Sequence, residues 1–204
     1  MALEKATFGL SEDSLEFMPL ERGELPPEFQ GFQVLREGLL NNQDMAEQGF
    51  AGNTAERVRA AGRVTGYMRE FGETSSAVAG EGFNFLAATV SHLFDNAESV
   101  SGWMHDVFLK DFEENLGESV DEDHQLISAV RLEPKGFFDE AVALKVLQGG
   151  DAGLISSTVI DFRVGRILGV AFVGTVGDQE RLDLATELAL ALEKRIVRVV
   201  LGAG

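Results

Sequence analysis

The chain has 204 residues, 45% of them apolar and 15 of them Phe, which excludes a disordered polymer: a chain of this length buries about 70% of its extended surface on folding. Its 34 Asp and Glu against 17 Lys and Arg leave a formal charge of -17, a field that repels phosphate backbones and anionic headgroups, so no nucleic-acid partner is expected. Without cysteine, disulfides, thiolate catalysis and sulfur-ligated metals are excluded, and no apolar run approaches the roughly 20 residues that cross a bilayer.

Residues 1 to 24 are polar with scattered Leu, Phe and Met and predict a partly irregular lead-in containing at most one short strand. Leu25-Pro26-Pro27-Glu28-Phe29 should be extended and stiff, because proline fixes its own φ and restricts its predecessor. Phe29, Phe32 and Val34 then serve as its anchors. Asn53-Thr54-Ala55-Glu56 reads as a capping box opening a short helix that ends near Gly62. Val64 to Phe71 alternates as a strand. Ala77 to Phe94 is apolar on both alternating faces, the pattern of a central strand covered on both sides.

Asp95 is the expected cap of the next helix, and Val100, Met104, Val107, Phe108 and Phe112 recur along it at helical spacing. The acid-rich EENLGESVDEDH from Glu113 to His124 predicts a solvated connection. Val130 to Glu133 and Ala141 to Leu147 are strand candidates, the second also fitting a short helix. Gly149 to Gly153 should turn the chain into STVIDFRV, and Val164-Gly165-Arg166 should reverse it into ILGVAFVG as an antiparallel neighbour. Asp178 is the expected cap of a last helix whose apolar face is Leu182, Ala185, Leu188, Ala189, Leu192 and Ile196.

The order of strands followed by an amphipathic helix occurs twice, so divergent halves at 25 to 115 and 125 to 200 are one reading of a single α+β domain spanning 1 to 204.

Four landmarks resemble a loosely characterised group of bacterial exported or lipid-anchored proteins. They are LPPEF at Leu25, GRVTGYMREF at Gly62, FRVGR at Phe162, and the stretch from Leu184 closing in Glu193-Lys194-Arg195-Ile196. Members carry glycine after the two prolines, where this chain has Glu28, and a basic pair then glycine and asparagine, where it has Arg163 to Arg166. The resemblance implies a mainly antiparallel sheet packed against amphipathic helices, similar to the sandwich of photosystem PsbP proteins and the Ran-binding Mog1 family. It also implies an extracytoplasmic or membrane-anchored location through a missing leader. It brings no catalytic residue set.

The chemistry-bearing residues form no established motif. His92, His105 and His124 lack metal-ligand spacing, and Asp121, Glu122 and Asp123 do not space their oxygens as a calcium loop does. Ser75-Ser76, Ser99, Ser101 and Ser156-Ser157 sit in no nucleophile elbow. QGGDAG lacks the lysine of a phosphate-binding loop. No metal and no cofactor are therefore expected.

Aromatic area is the larger resource. Phe85, Trp103, Phe108 and Phe162 either fill a closed core or line an apolar cleft rimmed by Tyr67, Arg163 and Arg166. The two arginines flank a tight turn and could hold an anion, although 34 acids offer them pairing partners instead. The expected role is noncatalytic binding or scaffolding at the cell envelope, with a hydrophobic small molecule or an envelope protein as partner. A protein-protein interaction module is the close alternative, and a carboxylate-rich or metal-assisted hydrolase the distant one.

Overall fold

The computed structural model describes residues 2–73, 80–120, 124–151 and 153–202. One seven-stranded antiparallel sheet runs through it in the order β1-β2-β3-β7-β6-β5-β4. The strands are β1 (Gln33–Leu40), β2 (Arg63–Gly72), β3 (Asn84–Phe94), β4 (Gln125–Leu132), β5 (Ala141–Gly150), β6 (Gly153–Val164) and β7 (Ile167–Val176). Ala141 to Leu147 thus resolves as strand. β3 lies between β2 and β7, the central place its two apolar faces predict. It is shorter than expected, because Gly80 to Phe83 form no strand and residues 77 to 79 lie outside the described residues.

Two layers cover the sheet. On one face lies α6 (Leu182–Val200), with Ala185, Leu188, Ala189, Leu192 and Ile196 fully buried against Ile160, Phe162, Ala171 and Val173. Residues 2 to 32 complete this layer. They fold as α1 (Ala2–Thr7) and three 3-10 turns, and they bury Leu15, Met18, Leu20, Phe29 and Phe32 in the same core. Val34, expected as a third anchor, is instead exposed on the edge strand β1.

The opposite face carries α2 (Asn42–Glu47), α3 (Ala55–Ala60), α4 (Ala97–Gly102) and α5 (Leu109–Glu114). A π-helical segment, Trp103–Phe108, joins the last two. The expected long helix thus runs without a break from Ala97 to Glu114, with this segment as its middle.

Local capping differs from expectation at three helices. Asn96, not Asp95, caps α4 by accepting from Ser99 N at 2.9 Å, because Asp95 is engaged in an ion pair with Arg59. α6 begins after Arg181, and Asp178 pairs with Lys145. At α3 the short helix forms as expected, but its cap is Thr54, which accepts from Arg57 N at 3.1 Å, in place of the box from Asn53 to Glu56.

The β6-β7 hairpin fills the centre of the sheet. Phe162 stands directly across from Gly169, stacks on Phe137 with ring centroids 5.3 Å apart, and is fully buried beneath α6. A Cβ on Gly169 would lie 2.2 Å from Phe162 Cζ, so glycine here is what lets the ring lie flat on the neighbouring strand. Gly169→Ala is expected to destabilise the fold by about 1–3 kcal/mol through overpacking, read as a lowered midpoint in urea. An unchanged midpoint would mean the ring is free to move aside.

Candidate functional site

Strand alternation sends Phe162 and Asp161 to opposite faces. Asp161 therefore points toward the α2–α5 layer. There the two layers do not close: a cavity of about 260 Å³ remains between them. Met68, Val90, Val159, Val170 and Phe172 form its floor on the sheet. Trp103, Val107, Phe108 and Phe112 form its roof. Three of these come from the π-helical segment, whose extra residue per turn rearranges the face a helix presents, a distortion often found at functional sites. Phe108 and Phe112 meet edge-on at 5.6 Å and hold the roof together.

Two polar side chains break the apolar lining in its depth. Asp161 is 2% exposed. No donor among the described residues reaches its carboxyl, and burial alone raises its pKa from 3.8 to about 8. His92 is equally enclosed. Arg63, itself fully buried, directs Nε and Nη2 at His92 Nδ1 from 3.0 and 2.9 Å. Arginine has only donors, so Nδ1 accepts and the neutral ring carries its proton on Nε2. Burial, and then the positive charge of Arg63, hold the His92 pKa well below its usual 6.5.

Arg63 also donates to Leu40 O at 2.7 Å and Asn42 Oδ1 at 2.6 Å. Burial lowers its pKa to about 10, still cationic at neutral pH. Gly66, across from His92, makes this approach feasible: a Cβ there would lie 2.6 Å from Nδ1 and 2.7 Å from Arg63 Nη2.

Asp161 and His92 do not form a dyad. β7 runs between their strands, with Val170 beside Asp161 and Leu168 beside His92, which sets them roughly 10 Å apart or more. Elsewhere, Ser101, His105 and Glu140 do meet, but Glu140 stands in the middle. It accepts from Ser101 Oγ and lies 2.7 Å from His105 Nε2, so the serine bonds the carboxylate and not the imidazole. Among the described residues no three His, Asp or Glu side chains group as metal ligands. Ser75, Ser76 and Asp121 to Asp123 lie outside the described residues.

No protein-family model and no curated protein matches the chain. A solved structure does share its fold. The extracellular domain of PknH from Mycobacterium tuberculosis is similar with a TM-score of 0.60 at 10% sequence identity, over 92% of this chain and 96% of that one. At that identity the likeness is one of fold.

The residues singled out from sequence divide between the two faces. Trp103 and Phe108 line the cavity. Phe162 and Tyr67 belong to the core under α6. Phe85 sits at a register shift in β3, its ring against Gly174 and outside the cavity wall. Arg163 pairs with Asp139 at 2.9 Å and Glu140 at 3.3 Å. Arg166 donates to Thr7 O, Leu10 O and Phe94 O and covers the Phe8 ring at 5.2 Å, lashing α1 to the hairpin. The two guanidiniums converge on no common point.

Sequence reasoning passed over Asp161. Its signal was an acid between Ile160 and Phe162 in the most apolar hairpin of the chain.

Two wider depressions, of about 420 and 730 Å³, lie over β1–α2 and beside the end of α6. Charged side chains line both, and Arg36 and Arg195 there are already paired with Glu70 and with Glu21 and Glu24.

Proposed function

We propose that the chain is a noncatalytic binding domain of the cell envelope that takes a small apolar molecule into the cavity between the sheet and the α2–α5 layer. The observation that carries this is a largely apolar cleft whose depth holds two polar groups with hydrogen-bonding capacity to spare. Interiors normally close-pack such a space and pair such groups, and ligand sites are where they do not. At about 30 Å³ per water, 260 Å³ holds about nine waters or a molecule of roughly that many heavy atoms. Full burial of an eight-carbon chain there would gain at most on the order of 6 kcal/mol gross at about 0.8 kcal/mol per CH₂.

The envelope location is supported by the sequence landmarks and by a fold shared with an extracellular domain. The noncatalytic reading is supported by the separation of Asp161 from His92. Binding would rest on shape and apolar contact, with Trp103 and Phe108 as the aromatic wall.

Native mass spectrometry of freshly purified protein, before and after organic extraction, tests this reading. An added mass that extraction removes, and that a cavity-filling Val170→Phe variant fails to carry, is the expected result. A bare mass throughout would contradict a retained ligand.

A second reading as a protein-interaction module draws on both sheet edges. Leu35 and Leu39 on β1 and Ile127 and Val130 on β4 are all at least half exposed, and open edges accept added strands.

A further inference from the structure

We propose that the cavity selects an organic cation, an aliphatic ammonium whose charge seats against Asp161 and whose apolar tail lies under Trp103 and Phe108. This rests on the cavity being a ligand site and names the class of ligand it takes.

The geometry around Asp161 leaves a counter-ion missing. Its strand is paired on both sides, to Val142 of β5 and Val170 of β7, so the short side chain cannot swing out to solvent. The charged groups facing the cavity are few. Asp111 lines it but is held by Arg57 at 2.6 and 2.8 Å. His92 lines it as a neutral ring, because the guanidinium of Arg63 is spent on Nδ1, Asn42 and Leu40. From β5 and β7 this face brings Val142, Leu144, Leu168 and Val170, and from the helical layer Trp103 and Val107. Arg163, on the same strand, is taken by Asp139 and Glu140.

No cation of the described residues therefore reaches Asp161, and a ligand is the group left to supply one. The walls agree in sign. Trp103, Phe108, Phe112 and Phe172 line the cavity, and aromatic rings attract a cation placed over their faces. The overall charge of -17 draws cations and repels anions. A carboxylate ligand would be repelled by the same field. His92 Nε2–H, beyond Val170, is a donor and fits an acceptor oxygen on the ligand in place of a second positive charge.

Seating an ammonium requires Asp161 to ionise. In the empty cavity burial keeps it protonated at neutral pH, so the balanced event is transfer of its proton to the buffer while the ammonium keeps its own. Uptake of the cation at pH 7 should then release about one proton per site, and affinity should rise with pH up to about 8.

Isothermal titration with octylamine, 1-octanol and octanoate, three probes of one chain length, separates the claims. Octylamine is expected to bind at least 10-fold tighter than octanol, with octanoate weakest. Its enthalpy in phosphate and in Tris should differ by about one proton's worth of buffer ionisation. Asp161→Asn should lose the amine advantage and keep octanol binding. Equal binding of amine and alcohol, or amine binding without proton release, would overturn the choice of a cation and leave the cavity reading standing. Failure of all three probes to bind would overturn both. The proton count comes from the unaltered protein, so the test does not depend on the variant folding.

Discussion

At pH 9, Asp161→Asn is expected to be several kcal/mol more stable than the parent protein, and at pH 4 about equal to it. The folded pKa of Asp161 is raised from 3.8 to about 8 by burial. Below about pH 4 the carboxyl is neutral in both folded and unfolded chains, and its contribution to stability is fully present. As pH rises from about 4 to about 8, the unfolded chain sheds the proton freely while the folded one retains it, so stability falls and the loss is complete above the folded value. At 1.36 kcal/mol per pKa unit this amounts to something on the order of 5 kcal/mol, reduced by any water that enters the cavity.

His92 runs the other way. Its folded pKa is depressed below 6.5, so its contribution is present above that pH and is lost as the solution is acidified. Comparing parent and variant removes the His92 effect and that of every acid other than Asp161, because both proteins share them. Urea unfolding at pH 5, 7 and 9 provides the measurement. A gap between the two proteins that does not widen with pH would mean Asp161 is paired or hydrated.

Phe162→Ala should cost about 3–5 kcal/mol, the usual loss for a fully buried Phe whose space cannot collapse. The space left by the ring has rigid walls: Phe137 stacked on one side, the Gly169 backbone beneath and the α6 leucines above. For a chain of this size that lowers the melting temperature by roughly 10 °C or more. Phe108→Ala is the control. Its ring is only half-buried and already faces open volume, so the loss should be less than half as large. The two phenylalanines thus differ in work: one seals the α6 core, the other walls the cavity. Calorimetric melting of both variants would show equal losses if the two faces were packed alike.

Several features were readable before any coordinates. The three- and four-residue spacing from Ala185 to Ile196 fixed α6 and its buried face, and the double-sided run to Phe94 placed β3 in the middle of the sheet. Composition could not say which aromatics share a space. Phe162 and Phe108 are both large apolar residues in apolar runs, but strand register sends the first toward α6 while the π-helical segment sets the second over the cavity.

The arginines misled for a related reason. Arg163 and Arg166 are close in sequence, but one finds Asp139 and Glu140 while the other finds the carbonyls of the first ten residues. Long-range partners leave no local mark. The caps were lost to competition, since Asp95 and Asp178 were drawn off by Arg59 and Lys145. The π-helical segment has no sequence signal that we recognise, yet it supplies Trp103 and Phe108.

An unpacked space on the α2–α5 face is what the proposed binding rests on, and methyl NMR during a 1-octanol titration reports on it directly. The expected result is saturable shifts confined to Met68, Val90, Val159 and Val170, accompanied by the indole signal of Trp103, the chain's single tryptophan. Leu188 and Leu192, across the sheet, should stay still. Shifts spread over both faces, or none at saturating alcohol, would contradict it.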